Sequence, residues 1–108
     1  MTVKELIEKC KLNAVTLPSP EKEVAGAYVG DLLSWVMGRA EAGNVWITIM
    51  SNVNVIAVAT LCDPSCIILA EGVTLPQDII NKANDQGINV LRSDIPAFEL
   101  CGKLYSLL

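Results

Sequence analysis

Side chains that commonly do chemistry are sparse in this 108-residue sequence. Histidine is absent, which removes the most common general base, the usual zinc ligand and the usual partner of a serine or cysteine nucleophile. Asp31, Asp63 and Asp94 are far apart along the chain. They lie at the ends of predicted elements, where aspartate most often caps a helix or forms a turn. The sequence therefore predicts no catalytic residue, and we expect a protein that is not an enzyme.

The cysteines are the other candidates for chemistry. Cys62 and Cys66 form a C-x3-C pair, whereas structural zinc and iron–sulfur sites usually show C-x2-C pairs. The first 11 residues carry three lysines and two glutamates and contain no apolar signal-peptide segment. We therefore expect a cytoplasmic protein whose thiols are reduced and buried, with no metal and no cofactor. A redox or metal role for the Cys62–Cys66 pair stays open as the alternative.

The charge pattern excludes further classes of partner. Eight Lys and Arg residues against twelve Asp and Glu residues give a net charge of −4. Since the basic residues form no stripe, we expect no binding to nucleic acid or to an anionic membrane. No P-loop motif is present, and the segment 26–30 lacks the spacing of a dinucleotide-binding motif, which favours a strand flanked by glycines.

Binding at the ends of strands is the remaining chemical possibility. In open α/β sheets, ligands bind outside the carboxyl ends of the strands, near the N-termini of helices. Arg92 is the only basic side chain among such positions, and it could attract a nucleotide or another anion. The alternative is that these residues only cap helices and form turns. The candidate ligand-binding residues are Ser51, Asn52, Asn54, Gly72, Thr74, Arg92 and Ser93.

The elements that would position these residues begin with a helix. Thr2 and Glu5 form a capping box, and apolar residues then recur at helical spacing as far as Lys11. Two strands and a short helix follow before residue 43. They are predicted at Asn13–Leu17, at Val24–Val29, and from Asp31 to no further than Gly43.

The stretch Ala42–Cys62 holds 21 residues without a formal charge, 14 of them apolar. That length could span a membrane. However, the stretch contains three asparagines, and acidic residues flank it on both sides without a cluster of basic residues. We therefore predict a buried strand at Asn44–Met50, followed by a helix from Ser51 to Cys62, although the valines and isoleucines of that second segment would also suit a strand.

The second half alternates strands and helices. Cys66–Ala70 is an apolar run typical of a strand that is buried on both faces. A capping box at Thr74 opens a helix that buries Ile79, Ile80 and Ala83 and ends at Gly87, and a strand follows at Ile88–Leu91. Asp94 caps a last helix, whose apolar residues share a face. These residues are Phe98, Cys101, Leu104, Tyr105 and Leu108.

This alternation with short connections predicts a single α/β domain over residues 1–108, with a mixed or largely parallel sheet covered by helices. The small number of charged residues also leaves room for an apolar surface that could be buried against a second copy of the chain.

A family resemblance adds to this picture. The run from Gly72 to Ser93, with a helix opened by a proline, a glycine and a strand, resembles the end of the DRTGG domain. It is equally similar to the N-terminal domain of bacterial HPr kinase/phosphorylase. The segments Val3–Cys10, Val24–Ser34 and Val45–Met50 also look like the small stand-alone DRTGG proteins, so the resemblance covers nearly the whole chain.

The resemblance implies a three-layer α/β/α sandwich with a mixed, largely parallel sheet, as in the HPr kinase N-terminal domain. It also implies a regulatory role, because DRTGG domains accompany CBS domains in regulated pyrophosphatases and help some enzymes to dimerise. The P-loop of the kinase lies in a separate domain, so kinase activity does not follow. The signature itself is altered, since Asn52-Val53-Asn54 replaces Asp-Arg and Ala70-Glu71-Gly72 replaces Thr-Gly-Gly, where only Gly72 matches.

Three hypotheses follow. The first is a non-catalytic regulatory module that forms a homodimer and regulates, or docks on, a metabolic enzyme. The second is a sensor of a nucleotide or another small anion, which would bind near Asn52 and Arg92. The third, an enzyme related to HPr kinase, is disfavoured because the chain has no P-loop and no histidine.

Overall fold

The computed structural model describes residues 1–108. Five helices and five strands alternate irregularly along the chain. In order they are α1 (Val3–Cys10), β1 (Asn13–Thr16), β2 (Ala27–Val29), α2 (Leu33–Arg39), β3 (Val45–Thr48), α3 (Asn54–Cys62), β4 (Cys66–Leu69), α4 (Gln77–Asp85), β5 (Val90–Arg92) and α5 (Ala97–Leu107).

The five strands form one sheet in the order β1-β5-β4-β3-β2. The pairs from β2 to β5 are parallel, and only β1 runs antiparallel, alongside β5. The prediction of a mixed, largely parallel sheet is therefore confirmed. Every residue of β3 and β4 is buried, which confirms that these apolar runs are central strands.

Helices cover both faces of the sheet and bury two separate apolar clusters. Helices α2, α3 and α4 pack on one face, together with Trp46 and Ile67. Helices α1 and α5 pack on the other, together with Val45 and Ile68. Neighbouring residues of one strand point to opposite faces, which is why Val45 and Trp46 belong to different clusters. The three-layer α/β/α architecture is confirmed.

The uncharged stretch Ala42–Cys62 folds as β3 and α3, as predicted. No helix of the structure combines the length and the apolar character needed to cross a membrane. The capping box of Thr2 and Glu5 is also confirmed at the start of α1. Gly87 follows α4 with a positive φ of 72°, the backbone conformation that ends many helices.

Four predicted starts are wrong. Helix α3 begins at Asn54 rather than Ser51, and α2 begins at Leu33 rather than Asp31. Strand β2 begins only at Ala27, after the positive φ of Gly26. Strand β5 is shifted towards Arg92, because the N–H of Ile88 instead donates to a carbonyl of α4 and completes the end of that helix.

The predicted caps of α4 and α5 are also wrong. The N-cap residues of these helices are Pro76 and Pro96, whose side chains cannot accept a hydrogen bond from a helix N–H. Both prolines have an extended ψ near 150°, so each helix begins only at the residue after the proline. Thr74 and Asp94 each lie two residues before these positions, too early in the chain to act as the N-cap.

Candidate functional site

Three of the predicted ligand-binding residues come together at the carboxyl ends of β4 and β5. The Arg92 Nη2 atom donates to the carbonyl of Gly72 at 3.3 Å and to Asp94 Oδ1 at 2.8 Å. The N–H of Gly72 donates to the carbonyl of Ser93 at 2.9 Å. The loops after these two strands therefore lie side by side.

The charge of Arg92 is already compensated. Asp94 forms an ion pair with Arg92 and does not cap α5, as the sequence had predicted it would. The Arg92 side chain is 30% exposed, and its Nε atom is buried without a hydrogen-bond partner. An anion arriving here would have to compete with the Asp94 carboxylate, and it would reach the buried Nε–H group only after a movement of the surrounding loop.

A carboxylate that sequence reasoning missed occupies the neighbouring helix N-terminus. Glu71 Oε2 accepts a hydrogen bond of 2.8 Å from the N–H of Ala97, the first residue of α5. Glu71 adopts a positive φ of 60°, which is unusual for a residue with a side chain. The capping residue is 26 positions away in sequence, so no local motif could have identified it.

The end of β3 is arranged differently from the prediction. Asp31 Oδ1 accepts bonds from Thr48 Oγ1 at 2.7 Å and from the N–H of Ile49 at 3.0 Å. Asp31 thus ties the loop after β2 to the end of β3, instead of capping α2. Asn52 Oδ1 accepts a bond from the N–H of Asn54 at 2.9 Å within its own turn.

The remaining predicted site residues are not joined to Arg92. Ser51 is half-buried and Thr74 is exposed, and neither side chain makes a hydrogen bond within the chain. The loops after β3, β4 and β5 do leave the same edge of the sheet, since these strands are parallel. The structure therefore assembles Gly72, Arg92 and Ser93, while Ser51, Asn52, Asn54 and Thr74 stay outside that hydrogen-bonded group.

All four cysteines are free thiols. Burial raises the pKa of the Cys66 thiol to about 12 and also raises the pKa values of Cys10, Cys62 and Cys101. A raised pKa keeps a thiol protonated near neutral pH, and the protonated thiol is a poor nucleophile and metal ligand. The expected burial is confirmed for Cys10 and Cys66, whereas Cys62 and Cys101 are only partly buried.

The largest cavity is an apolar cleft of about 490 Å³ between strand β2 and helix α5, which we call the β2–α5 cleft. Seven of its eight lining residues are hydrophobic. The lining consists of Gly26, Ala27, Val29, Ile47, Cys101, Leu104, Tyr105 and Leu108.

The cleft exists because the helices on this face do not reach the edge of the sheet. Val29 of the edge strand β2 is 56% exposed, although the neighbouring Ile47 is buried. Helix α5 buries Leu100 and Leu104, while Phe98 is 89% and Tyr105 88% exposed. The apolar face predicted for this helix is therefore divided, since Leu104 is buried while Phe98 and Tyr105 lie in solvent, and Leu100, which the prediction omitted, belongs to the core.

A smaller cleft of about 310 Å³ lies beside the last turn of α1. Lys9, Lys11 and Lys103 line it, and no ion pair involves any of these three residues. Lys9 belongs to the last turn of α1 and Lys11 follows it, and a positive charge is favourable at the C-terminal end of a helix. The helix dipole therefore accounts for Lys9 and Lys11 without a ligand.

Among known proteins, a match is found with solved structures. No family model and no curated protein matches the sequence. The fold is similar to the crystal structure of the CBS and DRTGG domains of the regulatory region of Clostridium perfringens pyrophosphatase, complexed with its activator, diadenosine tetraphosphate. The TM-score is 0.72 at 16% sequence identity.

That similarity extends over 95% of this chain and 45% of the pyrophosphatase chain. At this low identity the match concerns the fold. It agrees with the resemblance noted in the sequence between Gly72 and Ser93, and with the three-layer architecture described above. This chain therefore has the fold of a DRTGG-like domain.

Proposed function

We propose that this chain is a non-catalytic regulatory module. It would act as a single domain over residues 1–108 in the cytoplasm, form a homodimer, and regulate or dock on a metabolic enzyme. The observation that carries this proposal is the β2–α5 cleft, an apolar recess beside an edge strand and a helix with two exposed aromatic rings.

Apolar surface of this kind favours a protein partner. Large contiguous apolar patches are uncommon on monomeric proteins and usually mark an interface. Aromatic residues are enriched in interfaces, because they bury a large area at a low entropic cost. The polar positions at the strand ends, by contrast, are mostly engaged with one another, as in the pairs Arg92–Asp94 and Asp31–Thr48.

The regulatory part of the proposal draws on the structural neighbour. The Clostridium perfringens chain that this fold matches over 45% of its length is a regulatory region with CBS and DRTGG domains, complexed with an activator. A module with this fold can thus belong to regulatory machinery, and the residues described above contain no group of acid, base and nucleophile.

Sedimentation velocity over a range from 1 to 100 μM tests the homodimer. We expect a species with twice the mass of the 11.6 kDa chain. A monomer at every concentration would contradict the dimer. Turnover of ATP or of a phosphoprotein by the purified chain would contradict the non-catalytic role and support an enzyme related to HPr kinase.

A sensor of a nucleotide or another small anion is the second candidate function. The observation that favours it is the buried Arg92 Nε atom, which has no partner beside the loop of Gly72 and Ser93. Calorimetry with a panel of nucleotides and inorganic phosphate should then show binding that Arg92→Ala weakens at least tenfold. Arg39→Ala is the matched control, because Arg39 stacks on Trp35 away from this site. Equal binding by both variants would contradict the Arg92 site.

A further inference from the structure

Gly102 has no structural role within a single copy of the chain. It lies in the middle of α5, where glycine is the least favourable residue apart from proline. A Cβ atom added to Gly102 would meet nothing within 4 Å, and its φ is not in the left-handed region. Neither close packing nor backbone conformation inside the chain therefore explains this glycine.

The two exposed aromatic residues of α5 flank Gly102. Phe98 precedes it by four residues and Tyr105 follows it by three, and residues at these spacings share one side of a helix. Both rings are almost fully exposed, so the helix presents a notch at Gly102 with a large ring on each side. The charged residues Glu99 and Lys103 fall on another side of α5 by the same spacing.

We propose that a second copy of this chain occupies the notch, which deepens the homodimer proposed above and rests on it. The two α5 helices would pack antiparallel across a two-fold axis near Gly102. In that arrangement Phe98 lies beside the partner's Tyr105, and each backbone approaches the other closely at Gly102. The aligned dipoles of a parallel pair would repel, which favours the antiparallel arrangement.

A two-fold interface requires a surface that is complementary to itself. Here the exposed aromatic side of α5 and the β2–α5 cleft are adjacent, since Tyr105 belongs to both. When Phe98 of one copy packs against Tyr105 of the other at the mouth of this cleft, the symmetry repeats the same contact. Val29 and Leu108, both about half exposed, would then be covered as well.

The available area is consistent with a stable dimer. An interface of standard size buries about 800 Å² on each partner. An aromatic side chain buries about 150–250 Å², so the rings of Phe98 and Tyr105 alone would supply roughly half of that area. The exposed residues of the cleft would supply much of the remainder.

Substitution of Gly102 tests this arrangement. Gly102→Glu adds a good helix-forming residue at an open position, so the single copy should fold at least as well. Across the two-fold axis it would place two bulky like charges in close contact. We expect the dimer dissociation constant, measured by sedimentation, to rise at least 100-fold. The matched control is Gly38→Glu, since Gly38 lies within α2 and is equally open, and this variant should dimerise as the wild type does.

Cross-linking tests the same arrangement without disturbing it. Cys101 is only partly buried and next to the proposed axis, so a short bismaleimide should join the Cys101 thiols of two copies at a mildly alkaline pH, which offsets the raised pKa of this thiol. Cys101→Ser should abolish the cross-link and Cys62→Ser should preserve it. If the wild type dimerises but neither Gly102→Glu nor Cys101→Ser has an effect, the α5 interface is wrong while the homodimer stands. Such a result would favour pairing through the β2 edge. A wild type that is monomeric at 100 μM would overturn both.

Discussion

The buried side chain of Asn89 ties two loops to the amino end of β5 through three hydrogen bonds. Its Nδ2 atom donates to the carbonyls of Ser19 at 2.7 Å and Ser65 at 3.0 Å, and its Oδ1 atom accepts from the N–H of Ser19 at 2.9 Å. Asn89→Ala would leave these groups without partners in a buried position. We expect a loss of about 3 kcal/mol in the free energy of unfolding, measured with urea.

The exposed Asn81→Ala is the control for that measurement, because Asn81 bonds only to the side chain of Gln77 within its own helix. A change below about 0.5 kcal/mol is expected there, as for most surface substitutions. Equal losses in the two variants would show that the network around Asn89 does not stabilise the fold. The role of Asn89 was not predicted, because its partners lie 24 and 70 residues away in the sequence.

The Cys66 thiol should make stability depend on pH above its ordinary pKa. Burial raises this pKa from 9.0 to about 12, so between these values the unfolded chain loses the proton and the folded chain keeps it. The contribution of this proton to stability is therefore fully present below pH 9. It is lost as pH rises towards 12, and the unfolding constant increases by up to tenfold for each pH unit. Between pH 8 and 10.5 the wild type should lose about 2 kcal/mol more than Cys66→Ala.

The comparison of the two pH slopes, measured under reducing conditions, separates this effect from the cavity that Cys66→Ala creates. A cavity lowers the stability at every pH and leaves the slope unchanged. Parallel curves for the two proteins would show that the folded state does not hold the Cys66 proton in this range.

At the scale of the element, the start of α5 depends on a side chain from another loop. The Glu71 carboxylate accepts a hydrogen bond from the N–H of Ala97 and adds a negative charge at a helix N-terminus. Glu71→Ala should lower the free energy of unfolding by about 1 kcal/mol. Glu71→Gln should lose less, because the amide oxygen can still accept the bond.

Glu21→Ala is a suitable control, since Glu21 is exposed and makes no ion pair. Its unfolding free energy should match that of the wild type. If Glu71→Ala and Glu21→Ala are equally stable, the contact between Glu71 and Ala97 does not stabilise α5.

The helices and strands were predicted well where one local pattern decides, and less well where a second residue or the tertiary packing overrides that pattern. The Thr2–Glu5 capping box depends on residues three apart, and it is confirmed. The predicted caps of α4 and α5 failed because Pro76 and Pro96 set where these helices begin. Periodicity grouped Phe98 with Leu104 on one apolar face of α5, but it cannot show which part of a wide apolar face the sheet covers.

At the scale of the molecule, the architecture followed from the order of elements, because short connections between strands and helices favour parallel pairing. The same order predicted which loops share an edge of the sheet, and so Gly72, Arg92 and Ser93 do lie together. It could not reveal the β2–α5 cleft. That cleft arises from how far the helices extend across one face, which is a property of tertiary packing.

The apolar surface around this cleft has a thermodynamic consequence for the whole molecule. If folding is coupled to dimer formation, mass action makes the unfolding midpoint rise with protein concentration. For a chain of this size we expect about 3 °C for each tenfold increase, measured by circular dichroism from 2 to 200 μM. The variant Gly102→Glu should unfold at a midpoint that does not depend on concentration, because its single copy no longer gains from association. A wild-type midpoint that stays constant over this range would mean that the exposed rings of Phe98 and Tyr105 are not covered by a second copy.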